Sequence, residues 1–409
     1  MGPGTDRVGS MSGLFAARNK VAIVGYAQSQ VVRRTTEPLG LTALRTAHIA
    51  IADAGLTPAQ VDGYVSATLL PSSGDHESQD GVSIVSSNWL ARRLGVDAAY
   101  AAGFQGIGQI TGSLQLAVNA VASGAADYVL LHRALHNPAG KYNDNPMTEI
   151  RGDQQWSAPQ GFFGSVPAIA MVGNEYLQRY GASREALGRI AVEARKNGAR
   201  LPWSYWHGKP ITMEDYLAEP MIMDPMCRLD CDIPVQGVGM FILTSAERAR
   251  DMPNKPVYVT GYANGYPRHQ RIPLHWTLDE MMEAGQGLAK RLWESTGFSP
   301  GEIDLPQLYD AFSPFVYIWL EVLGFCPIGE GHRFVADGGI DSDRADALAV
   351  LSGGGAIGNG RLHGLPQLLE CYLQVAGRAG DRQRKADVGL VSYSAPHFGG
   401  SVVFTNDPS

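Results

Sequence analysis

Cysteine is scarce in this chain: Cys227, Cys231, Cys326 and Cys371 are the four in 409 residues, and none lies between Met1 and Met226. That excludes a disulfide framework. Cys227 and Cys231 stand at C-x3-C spacing, but no second Cys/His pair completes a zinc site. Positive charge is also short, with 33 Lys and Arg against 40 Asp and Glu and a net charge of −7, which argues against a nucleic-acid binder. The short basic run DRQRK (381–385) is the exception, a solvated loop or a phosphate-contacting patch. No apolar run approaches the roughly 18 residues of a membrane helix. No signal peptide with a charged start and apolar middle opens the sequence, so a cytoplasmic protein with reduced thiols is expected. Residues 1–19, rich in Gly, Ser and Met, read as a flexible leader.

Glycine, by contrast, is abundant, with 49 residues, and the hydrophobic fraction of 44% supports a large core. The glycines of SGGGAIGNGRLHGL (352–365) at 353, 355 and 358 spell G-x-G-x-x-G. A dinucleotide fingerprint belongs after the first strand of a βαβ unit, with an acidic residue about twenty positions later. Here only about fifty residues follow, too few for that half-fold. The glycines instead imply tight turns and close approach of other segments.

The chain repeats itself. KVAIVGYAQS near the start and KPVYVTGYANG late in the chain are β-branched strands that share Gly-Tyr-Ala. Each is followed by the pattern G-[LF]-[ST]-P-x-[QE]-[VI]-D, at Gly55–Asp62 and again at Gly297–Asp304. A Gly-rich turn, a helix and a strand ending in DYVLL or DVGLVSY complete each copy. Self-similarity on this scale predicts two α/β units packed together, spanning residues 20–250 and 251–409. An insertion of about residues 135–234 interrupts the first. Its aromatics (Trp156, Phe162, Phe163, Trp203, Tyr205, Trp206) and the helical run REALGRIAVEARKN suit either a cap over a pocket or a dimer arm.

These doubled halves, the insertion and the segments RLDCDIPVQGVGMFILTSAERA, LYDAF, GFCPIGEG and SGGGAIGNGRLHG resemble the thiolase superfamily, in its sterol-carrier-protein-type or lipid-transfer branch, from Lys20 onward. The resemblance implies an α/β thiolase fold: two similar halves in a five-layered α-β-α-β-α core with a large loop insertion. It also exposes departures. The position of the thiolase nucleophile falls near Ile107, where there is no cysteine. Gly358-Asn359-Gly360 replaces Gly-His-Pro, VSYSAPHFGG lacks the C-terminal cysteine, and Tyr309-Asp310-Ala311-Phe312 stands where an Asn-Glu or His-Asp element is usual. Cys231, Cys326 and Cys371 read as packing residues.

The same departures resemble those of the lipid-transfer-protein-type steroid aldolases. That likeness implies retro-aldol cleavage of a β-hydroxyacyl-CoA, a 17-hydroxy steroid carboxyl-CoA giving a 17-ketosteroid and propionyl-CoA. A non-catalytic acyl-CoA or lipid-binding subunit, or a thiolase or acyltransferase with a relocated nucleophile, are the alternatives. CoA enters as part of the substrate and no cofactor is implied. A homodimer and a small OB-fold partner, in some relatives bearing a zinc ribbon, come with the resemblance. Tyr309 is the first candidate, since a phenol can donate to a developing oxyanion or act on the alcohol proton. His363 follows, as base or shuttle or as a cap on its loop, next to a helix start that favours a neutral imidazole. Asn359, Tyr393 and His397 are further candidates. Asp310, pointing to the opposite face from Tyr309, is expected to anchor a loop.

Overall fold

The computed structural model describes residues 13–67, 69, 78–105, 109–136, 150–152, 154–162, 164–265 and 277–409. Ile107 and Phe163 lie outside the described residues. The first half runs β1 (Val21–Gln28), α1 (Leu39–Asp53), β2 (Gly63–Ser66), α2 (Ser87–Arg93), β3 (Tyr100–Gly103), α3 (Gln109–Ala122), β4 (Tyr128–Leu135). The insertion then adds α4 (Gln154–Ser157), α5 (Ser165–Tyr180), α6 (Arg184–Gly198), α7 (Met213–Ala218) and a hairpin of β5 (Met221–Met223) and β6 (Met226–Cys227). Strand β7 (Gly237–Ser245) and helix α8 (Ala246–Ala249) return the chain to the first half. The second half comprises β8 (Val257–Asn264), α9 (Leu278–Thr296), β9 (Leu305–Gln307), α10 (Ser313–Val322), α11 (Gly331–Ala336), α12 (Gly355–Asn359), α13 (Leu365–Val375), β10 (Val388–Tyr393) and β11 (Gly400–Thr405).

The strands lie in the order β3-β2-β4-β7-β1-β8-β11-β10-β9. The pairing of the first half is mirrored in the second. Strands β1 and β4 run antiparallel to β7, and β2 is parallel to β4. Likewise β8 and β10 run antiparallel to β11, and β9 is parallel to β10. The two sheets are joined at one edge through Ala22–Tyr258 and Ile23–Val257. Helix α3 packs on β2, β4 and β7 of one sheet and on β10 and β11 of the other. Helix α13 lies on β9 and β10, and its Tyr372 meets Phe241 and Tyr26 of the first sheet, with ring centroids 6.1 and 5.5 Å apart. With α1 outside the first sheet and α9 outside the second, the layers are α-β-α-β-α.

The repeated octapeptide folds the same way twice, for a local reason. In each copy Pro58 or Pro300 starts a single 3-10 turn closed by a capping box, Thr57 with Gln60 and Ser299 with Glu302. The terminal aspartate then holds the start of the next strand. Asp62 accepts from the amides of Asp127 (3.0 Å) and Tyr128 (2.9 Å), and Asp304 from those of Asp387 and Val388, both at 2.9 Å.

Alternation sorts the side chains of β4. Leu130 faces the outer core under α1, while Val129, Leu131 and Leu135 face the large central core. Arg133 shares the central parity and His132 the outer one, where its Nε2 lies 2.9 Å from the Val85 carbonyl. Residues 13–19, the described part of the leader expected over 1–19, are hydrogen-bonded to the second half. Phe15 N donates to Ser295 O at 2.8 Å, Arg18 Nε to Thr296 O at 3.1 Å and Asn19 N to Val259 O at 3.0 Å.

Candidate active site

The Gly-rich loop is packed by protein on every side. A Cβ at Gly355, whose φ is +54°, would lie 2.3 Å from the Asp310 carboxylate oxygens, and one at Gly358 would lie 2.2 Å from the Ala194 carbonyl of α6. The insertion therefore closes directly on this loop. Its Ser204 hydroxyl also donates to Gly358 O at 2.7 Å. The dense glycines serve close approach of neighbouring segments and leave no phosphate cradle. The basic run is likewise taken up by the protein. Arg382 pairs with buried Glu370 at 2.6 Å, and Arg384 donates to the carbonyls of Ser342, Arg344 and Ala347, each at 3.0 Å.

Asp310 is fully buried. Its Oδ1 accepts from Ala356 N (2.6 Å) and Gln367 Nε2 (2.7 Å), and its Oδ2 from Ile357 N (3.1 Å). Burial pushes this carboxyl up to about 7, while the two backbone donors pull the other way. All three partners donate, so the carboxylate fixes the first turn of α12 and with it the loop. Asn359 holds the same loop from inside, its Nδ2 donating to Gly353 O at 2.7 Å and Gly355 O at 2.8 Å. Both amide protons are thus used internally.

Segment 231–234 ties the loop to the Tyr-Asp-Ala-Phe element. Cys231 bridges Phe312, Asp232 N donates to Ala311 O at 2.9 Å, and Arg361 N donates to Ile233 O at 2.7 Å. This network brings Tyr309, His363 and Tyr393 into one buried cluster. The rings of Tyr309 and Tyr393 lie 4.7 Å apart at 57°. Burial pushes the Tyr393 phenol well up, whereas Arg133, Arg361 and a hydrogen bond with Tyr309 pull it down and Asp232 pushes it further up. At neutral pH it is a protonated donor.

His363 sits at φ +52°, a left-handed conformation that places its ring between two arginines. Arg133 Nη2 contacts its Nδ1, and Arg361 Nε reaches its Nε2 at 2.8 Å. Burial first, then Arg133 and Arg361, hold its pKa well below the ordinary value. A protonated ring would set N–H groups against guanidinium donors on both sides. A neutral ring has one acceptor nitrogen, so it accepts from one of these guanidinium groups at a time. His397 lies in the loop after β10, buried, its pKa pushed down to about 4 by that burial. That loop turns at Ser394, with φ +63°, whose carbonyl accepts from Trp319 Nε1 at 2.8 Å.

Arg133 was not among the sequence candidates. It is 1% exposed, and burial lowers its pKa to about 10, with Tyr393 and Tyr309 opposing that shift and Arg361 adding to it. The signal available was a His-Arg pair inside the otherwise apolar strand YVLLHRAL. Burial pushes up Cys227, Cys231 and Cys371, and Cys326 to about 12. No group of three or more His, Cys, Asp or Glu that could hold a metal occurs among the described residues. Among them, too, no helix is long and apolar enough to cross a membrane.

Known proteins share this architecture. The thiolase C-terminal domain-like family model matches residues 274–404. A 17-hydroxy-3-oxo-4-pregnene-20-carboxyl-CoA lyase of Mycobacterium tuberculosis is 32% identical over 338 residues, covering 80% of this chain and 84% of its own. A steroid side-chain-cleaving aldolase of Thermomonospora curvata is 33% identical over 343 residues, covering 80% and 83%. The solved structure of an Ltp2-ChsH2(DUF35) aldolase has a TM-score of 0.80 at 29% identity, over 95% of this chain and 98% of that one. Human mitochondrial 3-ketoacyl-CoA thiolase in complex with CoA is similar in fold, with a TM-score of 0.62 at 16% identity over 96% and 99% of the two chains.

Proposed function

We infer, from the fact that this chain belongs to the thiolase superfamily and within it to the steroid side-chain-cleaving aldolases, that it breaks a carbon–carbon bond of a β-hydroxyacyl-CoA by retro-aldol chemistry. The substrate is a 17-hydroxy steroid carboxyl-CoA, and the products are a 17-ketosteroid and propionyl-CoA. The observation that carries this reading is the hydrogen-bonded Tyr309–Tyr393 pair, set beside Arg133 in a thiolase frame whose four thiols are all pushed up. With no thiolate, an acyl-enzyme is unsupported.

Two hydrogen-bonded phenols suit a proton relay. One phenol takes the proton of the substrate hydroxyl as it passes its own to the other, and the other releases its own proton to the enolate in the same relay, so that neither phenol carries two protons. The Cα–Cβ bond breaks, its electron pair enters the thioester enolate, and the former alcohol carbon becomes the ketone. The second phenol holds the enolate oxygen and returns the proton to Cα. The balance closes without water, an oxidant or a resident cofactor, and CoA takes part only as the carrier of the acyl group.

A second subunit accompanies this chain in the proposal, as in the Ltp2-ChsH2(DUF35) aldolase. We take it to be a small OB-fold protein, with or without a zinc ribbon, working in the cytoplasm. A homodimer through the first-half sheets is supported by β3, which ends the sheet and pairs with β2 on one side among the described residues. Incubating the two-subunit complex with 17-hydroxy steroid carboxyl-CoA tests the reading. A ketosteroid and propionyl-CoA are expected, without consumption of free CoA and without inactivation by iodoacetamide. A correctly assembled complex that forms no product overturns it, and iodoacetamide sensitivity with CoA consumption would point to a relocated thiolase nucleophile.

A further inference from the structure

Two phenols pass a proton only when their rings are held at a fixed approach, and the backbone ladder beneath this pair stops short of it. Strand β9 pairs in parallel with β10 at Leu305–Gly389, Pro306–Leu390 and Gln307–Val391, where β9 ends. Continued by two residues, that register sets Tyr309 opposite Tyr393 on one face of the sheet. Strand β10 is still held there, since Ser392 and Tyr393 pair with Ser401 and Gly400 of β11. Tyr309 has left its ladder, and the residue before it turns away, with Leu308 N donating to Val350 O at 3.4 Å. The amide of Tyr309 then donates to Ser392 Oγ at 3.0 Å, and both residues are buried. A side chain of β10 thus continues the contact that the two strands have given up.

We propose that Ser392 is a positioning residue for the Tyr309–Tyr393 pair: its hydroxyl fixes the backbone of Tyr309 against β10, one residue before Tyr393, and so sets the approach of the two phenols. The rings meet at 4.7 Å and 57°. Tyr393 has little room to follow a shift of its partner, because a Cβ on Gly364 would lie 2.5 Å from its ring. The next residue is tied as well, the Ser394 carbonyl accepting from Trp319 Nε1 at 2.8 Å. Tyr309 is therefore the member of the pair whose place the hydroxyl decides. Alternation along β10 sends the Ser392 side chain to the face opposite the Tyr393 ring, so it acts through the backbone of Tyr309 and not on the reacting atoms. The proposal rests on the relay reading for what the phenols do, while the anchor of Tyr309 is independent of it.

Deuterium exchange of the Tyr309 amide in the assembled complex reads the anchor without any substrate. Ser392→Ala is expected to speed this exchange about tenfold, because the buried amide loses its acceptor. In turnover of the steroid ester the same variant should lower kcat about tenfold with KM within about twofold, the scale of a small misplacement of a reacting group. Ser392→Thr keeps the hydroxyl and recovers most of both losses. In the Tyr309→Phe background Ser392→Ala should cost less than about twofold more, since the phenol it acts through is already gone. A second tenfold loss there marks a general structural effect and overturns the proposal. Unchanged exchange in Ser392→Ala, or faster exchange with kcat unchanged, overturns it as well. Should Ser392→Ala fail to assemble, Ser392→Cys takes its place, because its sulfur accepts only weakly, and the same pattern is expected at smaller size. A wild-type complex that cleaves no steroid ester, while Ser392→Ala still frees the amide, refutes the aldolase reading and leaves the anchor of Tyr309 standing.

Discussion

The two halves can be laid over one another residue by residue, because Asp62 and Asp304 pin β4 and β10 at the same point. Asp62 holds the amide of Tyr128 and Asp304 that of Val388, and the parallel ladders agree, with Gly63 opposite Val129 and Leu305 opposite Gly389. Five positions past these anchors stand Arg133 in one half and Tyr393 in the other. The same position of the repeat carries a guanidinium in one half and a phenol in the other. Both lie on the central side of their strands. A fold that began symmetric thus offers one site two different groups, and the asymmetry is the chemistry.

The largest expected effect breaks that pairing at the phenols. Tyr309→Phe and Tyr393→Phe should each lower kcat by about 10²- to 10³-fold with KM little changed. If the pair acts as one relay, the double variant falls within about tenfold of the worse single, since groups that act as a unit do not add. A double variant whose loss is the product of the two singles would separate them into independent donors. Unchanged activity in Tyr309→Phe would support the non-catalytic subunit. Steady-state cleavage of the steroid ester reads all three outcomes.

Next in size is the support under the second-half loop. Asp310→Ala removes the acceptor of Ala356 N, Ile357 N and Gln367 Nε2 and leaves buried donors without it. A loss of about 3 kcal/mol in unfolding free energy is expected, from denaturant titration, with Asp310→Asn recovering about half. Equal losses in the two variants would mean that the charge, and not the acceptor geometry, fixes the loop.

How much of this was legible in the sequence depends on the range of the interaction. The octapeptide repeat, its capping boxes and its strand-starting aspartates are local, so eight letters written twice were enough to announce two halves. Tyr309 and Tyr393 could be named because each sits in a motif whose usual residue is missing. Arg133 could not, since its partner His363 lies 230 positions away and the contact exists only after the halves close. The surroundings of His363 were hidden for the same reason. A helix start does favour a neutral imidazole, but whether the ring acts as a base or as an acceptor is decided by the donors around it, and those come from β4 and from Arg361.

The outer face of β4 gives a sharper contrast with the inner one. His132, next to Arg133 in sequence, is buried under the outer helices, and burial drops its pKa from 6.5 to about 4. A histidine whose folded pKa is depressed contributes its full stability above the unfolded value and loses it as pH falls towards the folded one. Wild-type stability should therefore decline as pH drops from 6.5 towards 4. His132→Gln keeps a donor for Val85 O but cannot ionise, so near pH 5 it should escape about 2 kcal/mol of that decline. Unfolding midpoints measured across the acid range check it, and parallel slopes for the two proteins would remove His132 as the source.

The smallest effect addresses the symmetry itself. If the two halves are the same structure up to their strand ends, Asp62→Ala and Asp304→Ala remove equivalent pairs of backbone hydrogen bonds, at 3.0 and 2.9 Å in one half and 2.9 Å in the other. Each should cost about 1 kcal/mol in partly exposed positions, and the two costs should add, because the sites are far apart and share no partner. Their effects on turnover should differ in kind. Asp62 sets the height of the strand that carries Arg133, and Asp304 that of the strand that carries Tyr393. A shift of the first moves a side chain that touches His363, while a shift of the second moves a phenol of the proposed relay. Asp304→Ala is therefore expected to lower kcat severalfold more than Asp62→Ala at equal loss of stability, and equal losses of kcat would mean that both strand ends are held by the central layer and not by their aspartates.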